Sequence, residues 1–138
     1  MAFTRISDKE ILLRSQVYNP DIVVVLDPAI LELVNVTDGL KTDGWLIANT
    51  PKKPEELGVN GSFKIATVDA TGIALELNLK VAGFAVVNTP MLGAFSKATK
   101  LVSLESVKKV ILEEWKGELA ELNAKAAELA FEKTIVKV

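Results

Sequence analysis

The stretch Asn19-Pro20-Asp21-Ile22-Val23-Val24-Val25-Leu26-Asp27-Pro28 decides the fold. Five apolar residues in a row, Ile22 to Leu26, carry no polar alternation. A β-branched run of this kind is the signature of a strand buried on both faces, as in a parallel sheet. Asp27-Pro28 closes it, since Asp caps helices and Pro suits the first helical position. A short helix over Pro28–Val34 is therefore expected.

Working outward, the same pattern recurs. Gly44-Trp45-Leu46-Ile47-Ala48 reads as a second strand, ending at Asn49-Thr50-Pro51. Phe63 to Val68 reads as a third, ending at Asp69 and followed by a helix over Thr71–Leu79. Asn88-Thr89-Pro90 repeats the cap-plus-proline signal and opens a helix to about Lys100, expected to be the most buried in the domain, with Leu92 in its core. Upstream, Ala2–Ser7 and Ile11–Arg14 flank Asp8-Lys9, and these two β-type runs predict an N-terminal hairpin. Downstream, Leu104, Val107, Ile111 and Trp115 fall at helical spacing, with Ser103 as cap. Gly117 breaks that helix; a second continues over Leu119–Ala130, with Glu121 and Lys125 as an i,i+4 pair, and Thr134–Val138 is a final β-type run. Strands alternating with helices argue an α/β domain. The expected architecture is a layered, open, mostly parallel sheet with flanking helices, an N-terminal hairpin and a helical C-terminal tail, in one domain over residues 1–138.

Composition narrows the chemistry. The chain has 138 residues, 49% of them hydrophobic, with a mean hydropathy of +0.30. It has no Cys and no His. Disulfides, thiolate zinc sites, cysteine-ligated clusters, cysteine nucleophiles and Ser-His-Asp triads are thereby excluded. The net charge of −2 argues against a nucleic-acid footprint. No apolar run approaches the ~20 residues of a membrane span, and no signal peptide precedes the polar N-terminus. A cytoplasmic protein is the expectation, and abundant Lys and Glu with a single Gln fit a thermophile's usage.

Four expected strand ends finish in a polar residue: Asp27, Asn49, Asp69 and Asn88. In open α/β sheets the ligand crevice lies at the carboxyl ends of the strands. With Thr50 and Thr89, these are the candidate site residues; the competing reading makes Asp27, Asp69 and Thr89 helix caps. The fingerprints G-x-G-x-x-G and G-x-x-x-x-G-K-[ST] are both absent, so a stand-alone dinucleotide enzyme is not expected. Trp45 and Trp115 read as core or interface anchors.

The runs AFTRISDKEI (2–11), SQVYNPDIVVVLDPAIL (15–31), WLIANT (45–50), VDATGIALEL (68–77) and NTPMLGAFSKAT (88–99) together resemble one family. It is the gamma subunit of the 2-oxoacid:ferredoxin oxidoreductases, of the pyruvate or 2-ketoisovalerate type. The family's N-terminal strand and its glycine-rich G-x-G-G-Q-G turn have no counterpart here, so the resemblance implies an incomplete sheet with an open edge and a tendency to self-associate. It implies a complex that decarboxylates a 2-oxoacid with thiamine diphosphate, passes electrons through iron–sulfur clusters to ferredoxin and makes acyl-coenzyme A. This chain would then be a non-catalytic, structural subunit near coenzyme A, binding no cofactor alone and partnered by the other oxidoreductase subunits. Asn49, Thr50, Asn88 and Thr89 match the family motifs at strand ends and would be cofactor-pocket or interface contacts. A coenzyme A- or nucleotide-binding module and an indolepyruvate oxidoreductase subunit are the alternatives.

Overall fold

The computed structural model describes residues 1–138. β1 (Ile22–Val25), β2 (Trp45–Asn49) and β3 (Lys64–Val68) form a parallel ladder in that spatial order. A last strand, β6 (Ile135–Lys137), closes the far side antiparallel to β3. The sheet is thus mostly parallel, as the sequence pattern expects.

Period-2 alternation divides the strands between two apolar layers. Ile47, Ala66 and Val68 point to one face and meet α2 (Ala70–Glu76), α3 (Asn88–Thr99) and α5 (Gly117–Lys133). Val25, Leu46, Ala48 and Ile65 point to the other. There they are covered by Leu31 of α1 (Ile30–Leu33), by Leu40, and by Leu57 of a 3-10 helix at Pro54–Leu57. A third, smaller cluster joins Val107 and Ile111 of α4 (Leu104–Glu114) to Ala124 and Ala127 of α5.

The pairing of α3 with α5 follows from residue size. Thr89 donates to Asn123 Oδ1 (2.8 Å), Gly93 faces the Ala127 carbonyl, and Lys97 Nζ sits 4.9 Å from the Phe131 ring centroid. Each contact lies one helical turn beyond the last on both helices, so the two run parallel. A Cβ on Gly93 would lie 1.9 Å from the Ala127 oxygen. Only glycine allows this approach, and Ala94, Ala98, Ala126 and Ala130 extend it into the core.

Four expectations need correction. The N-terminal hairpin is absent. Residues 1–19 make no backbone–backbone hydrogen bond, and the Arg5 guanidinium instead holds the doubled-back chain through the carbonyls of Ser15 (2.8 Å) and Gln16 (3.2 Å). Two strands alone are marginal in water, and no third strand or apolar face backs these. Ile22–Leu26 is not buried on both faces: β1 is an edge strand, and the helix layer stops short of it, so Val24 and Leu26 are exposed. Leu92 is not a core residue, being 44% exposed, whereas its neighbour Met91 is buried. Lys125 pairs with Glu128 rather than Glu121. One element escapes the sequence reading altogether. β4 (Lys80–Val81) and β5 (Phe84–Ala85) form a hairpin whose turn, Ala82-Gly83, has φ of +50° and +83°.

Candidate functional site

The carboxyl end of the parallel ladder brings Leu26, Asn49 and Val68 side by side, followed by Asp27, Thr50 and Asp69. Asn49 ties these segments together. Its Nδ2 donates to the Leu26 carbonyl (2.8 Å) and to Thr71 Oγ1 (2.8 Å), and its Oδ1 accepts from the Thr71 N–H (3.2 Å). One buried amide therefore clamps the end of β1 and the start of α2 to the end of β2. The cost of burying an amide is offset because both of its ends are hydrogen-bonded. Thr50, also buried, donates its backbone N–H to the Val68 carbonyl, and its hydroxyl oxygen accepts from the Lys52 N–H (3.2 Å). That turn starts the connection carrying Lys52 and Lys53, both exposed; Lys52 lies 3.6 Å from Glu32 of α1.

The two aspartates do local work. Asp69 caps α2, its Oδ1 accepting from the Gly72 N–H (2.8 Å). Asp27 Oδ1 accepts from the Ala29 N–H (3.0 Å), which turns the chain into α1.

Asn88 and Thr89 belong to a different element. Asn88 ends no strand of the main sheet; it opens α3 after the β4–β5 hairpin. α3 ends beside the amino end of the ladder, where Thr99 and Leu101 share a cavity of about 240 Å³ with Asp21, Ile22 and Trp45. Its start is thus directed toward the carboxyl end, the end that Asn49 and Thr50 occupy. Thr89 is fully buried and engaged with Asn123, whose Nδ2 donates to the Leu119 carbonyl (2.8 Å). Asn88 is exposed, and its Oδ1 accepts from the Thr89 N–H (2.9 Å). Of the four candidates, Asn49, Thr50 and Thr89 are built into the fold, and Asn88 presents its side chain to solvent. Thr71 and Asn123, the partners that hold Asn49 and Thr89, are the residues the sequence reading missed; no local pattern marks a contact that spans 22 or 34 positions.

Away from this end of the sheet, between α4 and α5, Lys108 Nζ is 2.8 Å from Glu128 Oε2. Hydrogen bonding to Glu128 holds the Lys108 ammonium above its ordinary value, and the same bond holds the Glu128 carboxyl below its own. No group of three or more His, Cys, Asp or Glu side chains is placed to hold a metal ion. No helix is long and apolar enough to cross a membrane.

Comparison with known proteins supplies the context for this geometry. A family profile described as pyruvate ferredoxin/flavodoxin oxidoreductase matches residues 1–133. The pyruvate synthase subunit PorC of Methanocaldococcus jannaschii is 53% identical over 137 residues, covering 99% of this chain and 72% of that protein. The common gamma subunit of the pyruvate/ketoisovalerate oxidoreductases of Thermococcus kodakarensis is 54% identical over 138 residues, covering 98% and 72%. The crystal structure of pyruvate oxidoreductase subunit PORC from Thermotoga maritima superposes with a TM-score of 0.75 at 35% identity, covering 88% of this chain and 67% of that one.

Proposed function

Since this chain belongs to the pyruvate ferredoxin/flavodoxin oxidoreductase family, we propose that it is the gamma-type subunit of a pyruvate or related 2-oxoacid:ferredoxin oxidoreductase, working in the cytoplasm. The observation that carries this is the match to PorC and gamma subunits along nearly the whole chain, at about half identity and with the same fold. The complex oxidatively decarboxylates its 2-oxoacid to acyl-coenzyme A and delivers the electrons to ferredoxin.

Within that complex the chain's own chemistry is structural. Iron–sulfur clusters take cysteine thiolates as ligands, and the chain has no Cys. The residues present therefore do not fit a cluster, and the electron path is assigned to partner subunits. The reading gives thiamine diphosphate to those partners as well. What this chain offers is a rigid carboxyl end of the sheet, with Asn49 and Thr89 positioning the backbone from within. Thr50, itself buried, holds the turn that carries the exposed Lys52 and Lys53, and Asn88 presents its side chain to solvent at the start of α3; the lysine charges suit the phosphates of coenzyme A.

Reconstitution tests the assignment. The purified chain alone is expected to be colourless and inactive, and to restore pyruvate-dependent ferredoxin reduction when added to a complex depleted of its gamma subunit. Failure to co-purify with the other subunits, with no restored activity, overturns it. Doubly substituted Lys52→Glu/Lys53→Glu protein is expected to assemble normally and to raise the KM for coenzyme A; an unchanged KM removes coenzyme A from this end of the sheet.

A further inference from the structure

The loop that enters β3 reads Val59-Asn60-Gly61-Ser62. Its fold demands a glycine after Asn60. Gly61 has a φ of +135°, which residues with side chains rarely adopt, and a Cβ there would lie 2.3 Å from Cε2 of Phe63. The Phe63 ring is held in turn, because it packs against the layer of Val25, Leu46 and Ile65.

That requirement leaves Asn60 chemically open. Asparagine is a thermolabile residue, and its lability depends on how readily the next backbone nitrogen reaches its side-chain amide. A glycine puts no side chain in the way, and its backbone freedom lets the nitrogen approach. Asn60 and Gly61 are both exposed. The Gly61 N–H donates to no backbone carbonyl, so no ladder or turn bond holds that nitrogen in place.

The other six asparagines are each protected. Asn19 precedes Pro20, which has no N–H. Asn49 and Asn123 are buried, with both ends of the amide hydrogen-bonded. Asn35 accepts from the Thr37 N–H and precedes the β-branched Val36. Asn88 accepts from the N–H of Thr89, also β-branched. Asn78 precedes the buried Leu79, whose N–H is committed to the Ala74 carbonyl (2.8 Å).

We propose that Asn60 is a self-modification site, converted to aspartate and isoaspartate through attack by the Gly61 nitrogen. A bond forms from that nitrogen to Asn60 Cγ, and the bond from Cγ to Nδ2 breaks. The amide leaves as ammonia, carrying the proton of the Gly61 N–H. The five-membered imide that remains takes up one water. Opening at Cγ gives aspartate. Opening at the main-chain carbonyl carbon leaves the chain running through Cγ, as isoaspartate. Solvent water is the only co-reactant, and nothing is oxidised or reduced. Either product adds one negative charge to a chain whose net charge is −2. Isoaspartate also lengthens the main chain just before Ser62, whose carbonyl accepts from the Asp43 N–H (2.8 Å), so it acts on the entry to β3.

The folded chain is incubated in mild alkali and in mild acid, then cleaved after lysine for mass mapping. Residues 53–64 come away as one peptide, in which Asn60 is the only amide side chain. The mass gain of an amide-to-acid change is expected there first, and faster in alkali, because the attacking nitrogen must lose its proton. Two products of equal mass, separable by chromatography, are expected. The rate is expected to lie within about tenfold of that in the free 53–64 peptide, since the native loop leaves the site open. Asn60→Gln is expected to abolish the gain with the circular dichroism unchanged, because its larger ring closes far more slowly. A folded chain more than about tenfold slower than the peptide overturns the proposal. So does a gain that appears first at another asparagine, or aspartate as the sole product, which would mean direct hydrolysis. The peptide comparison needs no variant and stands whatever Asn60→Gln does to folding.

Discussion

Two buried threonines illustrate opposite uses of a hydroxyl. Thr89 donates to Asn123 Oδ1, and that oxygen has no other partner. Thr89→Val keeps the shape and strands the amide oxygen, which is expected to cost about 1–3 kcal/mol. Thr67, equally buried on β3, has a hydroxyl with no partner at all. Thr67→Val removes an unsatisfied group without changing volume and is expected to be neutral or to stabilise by up to about 1 kcal/mol. Chemical denaturation of both variants makes the comparison, and equal losses at the two sites would refute it. A second contrast separates neighbours on α3. Met91 is buried in the main core, and Met91→Ala is expected to lose about 2–5 kcal/mol. Leu92 points away from that core, and Leu92→Ala is expected to lose less than about 1 kcal/mol in the isolated chain. A Leu92→Ala loss as large as that of Met91→Ala would show the α3 face to be turned.

Between elements, the α4–α5 contact carries an ion pair, Lys108 with Glu128, whose titration the fold displaces. Glu128, held below its ordinary value by Lys108, stabilises the fold above the unfolded-state carboxylate range, and that contribution is lost as pH falls through its lowered folded-state value. Lys108, held above its ordinary value, contributes below the unfolded-state lysine range and loses its contribution as pH rises through its raised folded-state value. The stability difference between the parent and Lys108→Met is therefore expected to be flat across neutral pH and to shrink in acid. Thermal unfolding at pH 7 and at pH ~2.5 reads it, and a gap that widens in acid would contradict the pairing. The pair lies on a partly solvated surface, so its whole effect is small. Which elements form was legible in the sequence wherever the period was strong. Ile22–Val25 announces itself as a β-branched run, Trp45–Asn49 and Lys64–Val68 as short, largely apolar runs, and Ser103 caps α4 as its position suggests. The failures share a cause. Residues 2–14 have the pattern of a hairpin but form no ladder, since a pattern alone does not supply the packing that two strands need. β4 and β5 are two residues each, too short for any period to register. The candidate site was legible as positions and not as partnerships: Asn49 and Thr89 stood out, but Thr71 and Asn123, which fix them, are set by the packing of distant segments.

At the scale of the whole molecule, the two ends of the chain are treated differently. The C-terminal run is drawn into the sheet: β6 follows directly from α5 and pairs with Thr67, Ala66 and Ile65 of β3. Thr134 is buried at that junction, its backbone N–H donating to the Ala130 carbonyl (2.9 Å), so the last helix and the last strand are locked together. Removing residues 135–138 would expose the edge of β3 and release one end of α5, the helix against which α2, α3 and α4 all pack. Residues 1–16, by contrast, share no hydrogen bond with the body. The layers of the body share residues of α5 and the sheet and are expected to unfold in one transition. Deletion of residues 1–15 is then expected to leave its midpoint within about 2 °C of the parent when both are dilute enough to be monomeric. Deletion of residues 135–138 costs a ladder and its apolar cover, on the order of 2 kcal/mol, and is expected to lower the midpoint by roughly 5–10 °C. Thermal melts followed by circular dichroism and by tryptophan fluorescence, which reports Trp45 on β2 and Trp115 against α5, make the measurement. If the deletion of residues 1–15 proved the more costly of the two, that segment would belong to the core of the body.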